Sequence, residues 1–263
     1  MEYTKQEFMA IITGREIKDG ELIILGVGLS MLAGYFARFN HAPNLKPFTE
    51  GGIYGSTPVG GLPWGIECNR ISANATSFTN AIDALGFLVL SGRADNAVIG
   101  AAQVDKYGNV NTTGIWDEPP WKTGHYNPPK VRLNGSGGAS DISVGCKRYL
   151  IMASHEKRRF MERVDYISSV GFLTGGDSRE KCEFIGGGPA AIISTLGILR
   201  PDPQTKEFYL EAYYPSTSVE EVRENTGWDL KISPDVKMVP EPTEEELKNL
   251  RAVDTTGSLR KKG

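Results

Sequence analysis

Leu22-Ile23-Ile24-Leu25 is an unbroken apolar run that leads into Gly26-Val27-Gly28 and then into Leu29, Leu32, Ala33 and Phe36 at helical spacing. A run this short and this apolar reads as a strand buried on both faces. A strand, a glycine turn and a helix in that order open an α/β unit. The pattern continues along the chain. Thr4-Lys5-Gln6-Glu7 reads as a capping box for a helix ending near Lys18, and Leu45–Phe48 ends a strand. Phe78 to Leu90 has helical periodicity, Asn96 to Val104 reads as one strand, and Arg148 to Ala153 as another buried strand. Ala190 to Tyr214 reads as an antiparallel hairpin added to the sheet. Helices are expected from Val219 to Asn225 and from Glu244 to Arg251. With no repeat, low-complexity block or clear linker, residues 1–253 read as a single domain and 254–263 as a polar, disordered tail.

Composition narrows the partners. Lys and Arg total 29 against 32 Asp and Glu, so no general basic field exists to attract nucleic acid. No run of about 18 uncharged apolar residues is present, which argues against a membrane span. The first residues, Met1-Glu2-Tyr3-Thr4-Lys5, lack the apolar core of a signal peptide. Cys68, Cys146 and Cys182 are far apart, with no C-x-x-C spacing. A reduced, cytoplasmic chain without a structural metal is the expectation.

Glycine is the composition's one excess, at 31 of 263 residues against roughly 7% on average. Much of it sits in clusters that could bring backbone close to a bound group. Gly26-Val27-Gly28 does not extend to a dinucleotide fingerprint, because the third glycine position is Met31. Thr49-Glu50-Gly51-Gly52 sets a carboxylate beside two residues without side chains; it is either a solvated loop acid or one that a substrate approaches closely. Asn134-Gly135-Ser136-Gly137-Gly138-Ala139 precedes a helix, so its N–H groups form either a tight connection or a donor array for a developing oxyanion. Gln103-Val104-Asp105, followed by Tyr107-Gly108-Asn109-Val110-Asn111, brings polar groups to a strand end. His155-Glu156-Lys157-Arg158-Arg159 reads as a solvated face or an inter-subunit contact. No G-x-S-x-G elbow supports a serine hydrolase.

In this order and spacing, over roughly residues 5–230, these segments resemble the class I coenzyme A-transferases, and within them most closely the beta chains of the glutaconate CoA-transferase type. The matching residues are Gly26-Val27-Gly28, Ala42-Pro43, Thr49-Glu50-Gly51-Gly52, Gly100 through Asn111, Gly135-Ser136-Gly137-Gly138-Ala139, His155 through Met161, and Tyr213-Tyr214-Pro215.

The resemblance implies an open α/β/α sandwich with a mainly parallel sheet plus an antiparallel hairpin. It also implies pairing with a homologous A (alpha) subunit in a hetero-oligomer of A2B2 or larger. Glu50 would be the catalytic nucleophile. Gly137 and Gly138 would supply oxyanion and CoA contacts, and Gly26, Gly28, Gly51 and Gln103 would line the substrate site. Coenzyme A would act as substrate and covalent intermediate, with no permanently bound cofactor and no metal. The reaction implied is ping-pong exchange between an acyl-CoA and a dicarboxylic or oxo acid. Two departures stand out. Gly51 replaces a residue that is often Ser or Asn, and Trp116 through Tyr126 is longer and more aromatic than expected. The second departure keeps open a CoA-ester hydrolase or lyase on the same scaffold, and a non-catalytic sensor of CoA esters or sugar phosphates is a third reading. Glutamate at position 50 favours transfer.

Overall fold

Thr4 opens the first helix with a reciprocal cap. Its Oγ1 accepts from Glu7 N at 3.1 Å, and its own N–H donates to Glu7 Oε2 at 2.8 Å. The structure is a computed structural model describing residues 2–66 and 68–259. Helix α1 (Lys5–Arg15) stops before the expected Lys18. Glu16 and Ile17 turn back onto the carbonyls of Thr13 and Gly14, which drives Ile17 into the core at 1% exposure. The next elements are β1 (Leu22–Leu25), α2 (Leu29–Asn40), β2 (Lys46–Phe48), β3 (Ile53–Tyr54) and β4 (Ser77–Phe78). A π-helical segment, Ile82–Val89, precedes β5 (Asn96–Gly100), β6 (Gln103–Asp105), β7 (Val110–Asn111) and β8 (Gly114–Ile115). Then come α3 (Pro120–Thr123), β9 (Val131–Arg132), α4 (Ala139–Gly145), β10 (Tyr149–Ala153) and β11 (Phe160–Met161). The chain closes with β12 (Pro189–Ser194), β13 (Gly197–Pro201), β14 (Phe208–Tyr213), α5 (Val219–Glu224), β15 (Ile232–Met238) and α6 (Glu244–Val253).

Among the described residues the main sheet has ten strands, in the order β15-β14-β13-β12-β10-β5-β1-β2-β3-β4. Its centre, β12-β10-β5-β1-β2, is parallel throughout, and antiparallel pairs flank it on both sides. This is the mixed α/β architecture expected from the strand, glycine turn and helix order. Side chains alternate across it with the pleat. Ile23, Leu25, Leu150 and Met152 enter a core against α1, α2 and α6, with Phe8, Phe36 and Leu250. Ile24, Tyr149 and Ile151 enter a second core with Phe160, Phe208 and Ile142. Part of that second face is covered by a three-stranded sheet, β11-β6-β7.

Three sequence expectations shift. The strand expected over Asn96–Val104 divides after Gly100: β5 stays in the main sheet, while Ala102 N bonds to Asn111 O and leads β6 into the small one. The Ala190–Tyr214 hairpin is a three-stranded meander, because Ser194 Oγ accepts from both Leu196 N and Gly197 N and turns the chain early. The helix expected over Phe78–Leu90 begins only at Ile82 and has π geometry, with Leu90 N on Leu85 O at 2.8 Å. The expected tail starts with a turn: Asp254 is buried and its carboxylate accepts from Leu259 N at 3.2 Å. Residues 260–263, the rest of that segment, lie outside the described residues. No helix among the described residues is long and apolar enough to cross a membrane.

Candidate active site

β2 ends at Phe48, and a tight loop follows. Gly52 N donates to Thr49 O at 3.0 Å, and Thr49 N to Ile53 O at 3.0 Å. Gly52 makes the loop possible. Its φ is +85°, and an added Cβ would stand 2.7 Å from Asn80 N. The loop holds Glu50, half-buried, over the start of α4, where its Oε2 accepts from Gly138 N at 3.0 Å. A Cβ at Gly138 would lie 2.5 Å from that oxygen and 3.2 Å from Leu85 Cδ2. The π-helical segment thus sets Leu85 beside the glycine turn. Two glycine signals separated in sequence meet at one carboxylate.

Around this contact is a cleft of ≈ 500 Å³ at the carboxyl ends of β1 and β5, the position where open parallel sheets gather ligands. Gly26, Ser30, Thr112, Asn134, Ser136 and Gly137 contribute to its walls. Glu50 is the only ionisable side chain lining it among the described residues. Hydroxyls, amides and main-chain N–H groups therefore face a single anionic oxygen pair. Such a cleft can hold a carbonyl beside a carboxylate nucleophile, with an amide donor in place for charge that develops on oxygen.

The other residues predicted from sequence divide. Gly26 lines the cleft, while Gly28 caps α2 outside it. Gly51 is exposed, with nothing nearer to an added Cβ than Thr49 Oγ1 at 3.8 Å, so the backbone requirement falls on Gly52. Gln103 does not line the cleft. Its Nε2 donates to Asp165 Oδ2 at 3.0 Å, and its Oε1 accepts from Asn111 Nδ2 at 2.7 Å and Asp165 N at 3.1 Å. The buried amide braces the small sheet, away from the walls of this cleft. Asp105 is equally internal: its carboxylate binds the Tyr107 and Asn109 N–H groups, and burial raises its pKa to about 6. Ser30, Thr112, Asn134 and Ser136 went unassigned from sequence; only Asn134 and Ser136 carried a signal, by flanking the glycines.

The charge run also separates. His155 is 5% exposed, stacked on Phe160 and hydrogen-bonded to Ser194 Oγ at 2.8 Å and Thr226 Oγ1 at 3.0 Å, and burial lowers its pKa to about 3. It is a neutral brace, while Lys157 and Arg158 remain exposed. In the aromatic segment, Trp116 Nε1 donates to Asn127 O at 2.6 Å and Trp121 Nε1 to Val164 O at 3.1 Å, fastening a lobe next to residues 163–167.

Fold and cleft together define an open α/β protein with one glutamate in a cleft at the carboxyl ends of its parallel strands. The coenzyme A transferase family model matches residues 7–225. The chain is 36% identical to the B subunit of 3-oxoadipate CoA-transferase from Pseudomonas knackmussii, over 96% of this chain and 94% of that one. It is 37% identical to the B subunit of glutaconate CoA-transferase from Acidaminococcus fermentans, over 91% of this chain and 89% of that one. The crystal structure of glutaconate CoA-transferase from A. fermentans superposes with a TM-score of 0.89 at 34% identity, covering 99% and 98% of the two chains. The chain belongs to the coenzyme A transferase family, and its enzymatic class is that of a CoA-transferase.

Proposed function

We propose that this chain is the beta subunit of a two-subunit CoA-transferase that exchanges CoA between an acyl-CoA and a carboxylic acid, dicarboxylic or oxo in type, through a thioester on Glu50. The observation that carries this reading is the Glu50 carboxylate, alone among the described residues as an ionisable group in the cleft and held by the Gly138 N–H at 3.0 Å. Relatives named as B subunits support a homologous A (alpha) subunit as partner, and the assembly proposed with it is a hetero-oligomer of A2B2 or larger. The cysteines Cys68, Cys146 and Cys182 are free, in keeping with work in the reducing cytoplasm.

The steps are balanced exchanges of a leaving group. Glu50 attacks the thioester carbonyl, CoA leaves as thiolate, and a mixed anhydride forms. The thiolate attacks the glutamyl carbonyl of that anhydride; the donor acid departs as a carboxylate, leaving glutamyl-CoA. An acceptor carboxylate then attacks the glutamyl thioester and expels CoA thiolate. Finally the thiolate attacks the acceptor's carbonyl and frees Glu50. In the steps at the glutamyl carbonyl, charge accumulates on the oxygen that the Gly138 N–H already faces, so the donor needs little reorganisation. A hydrolase or lyase is the less favoured reading, since the relatives at 36% and 37% identity carry transferase names.

The test uses the complex of this chain with its partner subunit, incubated with acetyl-CoA in the absence of acceptor acid. A CoA mass adduct is expected on the peptide containing Glu50, and none in Glu50→Ala. Absence of an adduct, with Glu50→Ala retaining wild-type rates, sinks the proposal.

A further inference from the structure

A second cavity, ≈ 260 Å³, adjoins the Glu50 cleft and shares Val27, Ser30 and Gly100 with it. The two meet at the carboxyl ends of β1 and β5. Ile24 and Ile142 line the Glu50 cleft, and Met9, Leu29 and Met152 the smaller cavity, with residues of both cores at each. Between them stands Gly100, at the carboxyl end of β5, where an added Cβ would meet nothing within 4 Å. The passage over the edge of the sheet is therefore open at that point.

The two cavities differ in charge. Glu50 is the one ionisable group in the first, and Arg159 the one in the second, among the described residues. Arg159 Nε pairs with Glu156 Oε1 at 3.2 Å, and its two terminal amino groups make no hydrogen bond to a described residue. A guanidinium with both Nη groups unspent presents the planar fork that suits a carboxylate. Met9, Leu29 and Met152 line the way with apolar surface fit for methylene groups. An acid with a second carboxylate could not place both beside Glu50 without like-charge repulsion, and among the described residues the first cleft offers no cation to offset it.

We infer that Arg159 and its cavity form the subsite for the distal carboxylate of a dicarboxylic acyl group whose other end reacts at Glu50. The inference rests on the transferase reading above and adds the residue that selects the acid. The same guanidinium chemistry could hold a phosphate of CoA, and the experiment separates the two sources.

The two-subunit complex is assayed with acetyl-CoA as donor and with acceptors matched in length, glutarate against valerate and adipate against hexanoate. Arg159→Met should lower the ratio of kcat/KM for dicarboxylate over monocarboxylate about 10- to 100-fold, with partial recovery in Arg159→Lys. Gly100→Val should lower the same ratio by closing the passage. An unchanged ratio overturns the inference; so does an equal loss for both acids of a pair with a raised KM for acetyl-CoA, which would assign Arg159 to the CoA phosphates. Calorimetric binding of glutarate to the unreacted complex reads the subsite without turnover. Binding at least tenfold weaker in Arg159→Met supports it, and equal binding overturns it. A wild type that binds glutarate through Arg159 but forms no Glu50 adduct counts against the transferase reading alone.

Discussion

At Gly138 the backbone is right-handed, with φ −69° and ψ −5°, so alanine fits the backbone there. What excludes a side chain is Glu50 Oε2, 2.5 Å from where its Cβ would stand. Gly138→Ala should therefore keep the fold, with a melting temperature within a few degrees of wild type, and lower kcat about 10²- to 10³-fold, on the scale of a lost oxyanion donor. Circular dichroism and steady-state kinetics check the two halves separately. Wild-type kcat in Gly138→Ala would show that the carboxylate finds another position of equal use. The residues of this contact were legible in sequence because each lies in a local signal, an acid before paired glycines and a glycine run before a helix. The assignment within the pair was not. Gly51 and Gly52 are identical in sequence, and only φ and the approach of Asn80 show which one the loop requires. The bracing role of Gln103 was illegible for a related reason: its partner Asp165 lies 62 residues away, and no spacing rule reports such a pairing.

Elements are joined by polar groups as well as by apolar cores. His155 ties the end of β12, through Ser194, to Thr226 beyond α5, on top of its stack with Phe160. Its pKa falls to about 3 on burial, while an unfolded histidine titrates near 6.5. Between those values the unfolded chain takes up a proton that the folded chain refuses, so this contribution to stability is whole above about pH 6.5 and is lost as pH falls toward 3. The slope is at most about 1.4 kcal/mol per pH unit. Asp105 acts in the opposite sense: raised to about 6 by burial, it favours the fold at low pH and loses that contribution as pH rises through 6. Urea unfolding from pH 4 to 6 should give a shallower loss of stability in His155→Gln than in wild type, and equal slopes would remove His155 from the account. Periodicity recovered β1, α2, β10 and α6 because each serves one layer throughout. It failed over Asn96–Val104, where a continuous polar-to-apolar pattern serves two sheets.

On the scale of the molecule, the segment that meets the Glu50 loop at Asn80 and the glycine turn at Leu85 carries large exposed apolar side chains, among them Phe78 at 63%, Ile82 at 82% and Phe87 at 57%. Single exposed apolar residues are ordinary, but a group of them on one segment fits a face that another chain covers. Under the two-subunit proposal, the chain alone should show no transfer activity, and adding its partner should restore it. Hydrogen exchange over residues 78–90 should slow in the complex. Full activity in the isolated chain, or unchanged exchange there, would count against that arrangement. The aromatic lobe lies outside this frame. It leaves and returns through β8 and β9, which pair Gly114 with Arg132 and Ile115 with Val131, so its two ends stay together whatever lies between them. Lengthening such a closed excursion costs only about 0.6 kcal/mol of closure entropy for each doubling. The largely exposed stretch from Lys122 to Tyr126, between the residues that fasten the lobe, is thus where insertion or deletion remodels it most cheaply, while the Glu50–Gly138 contact keeps its register.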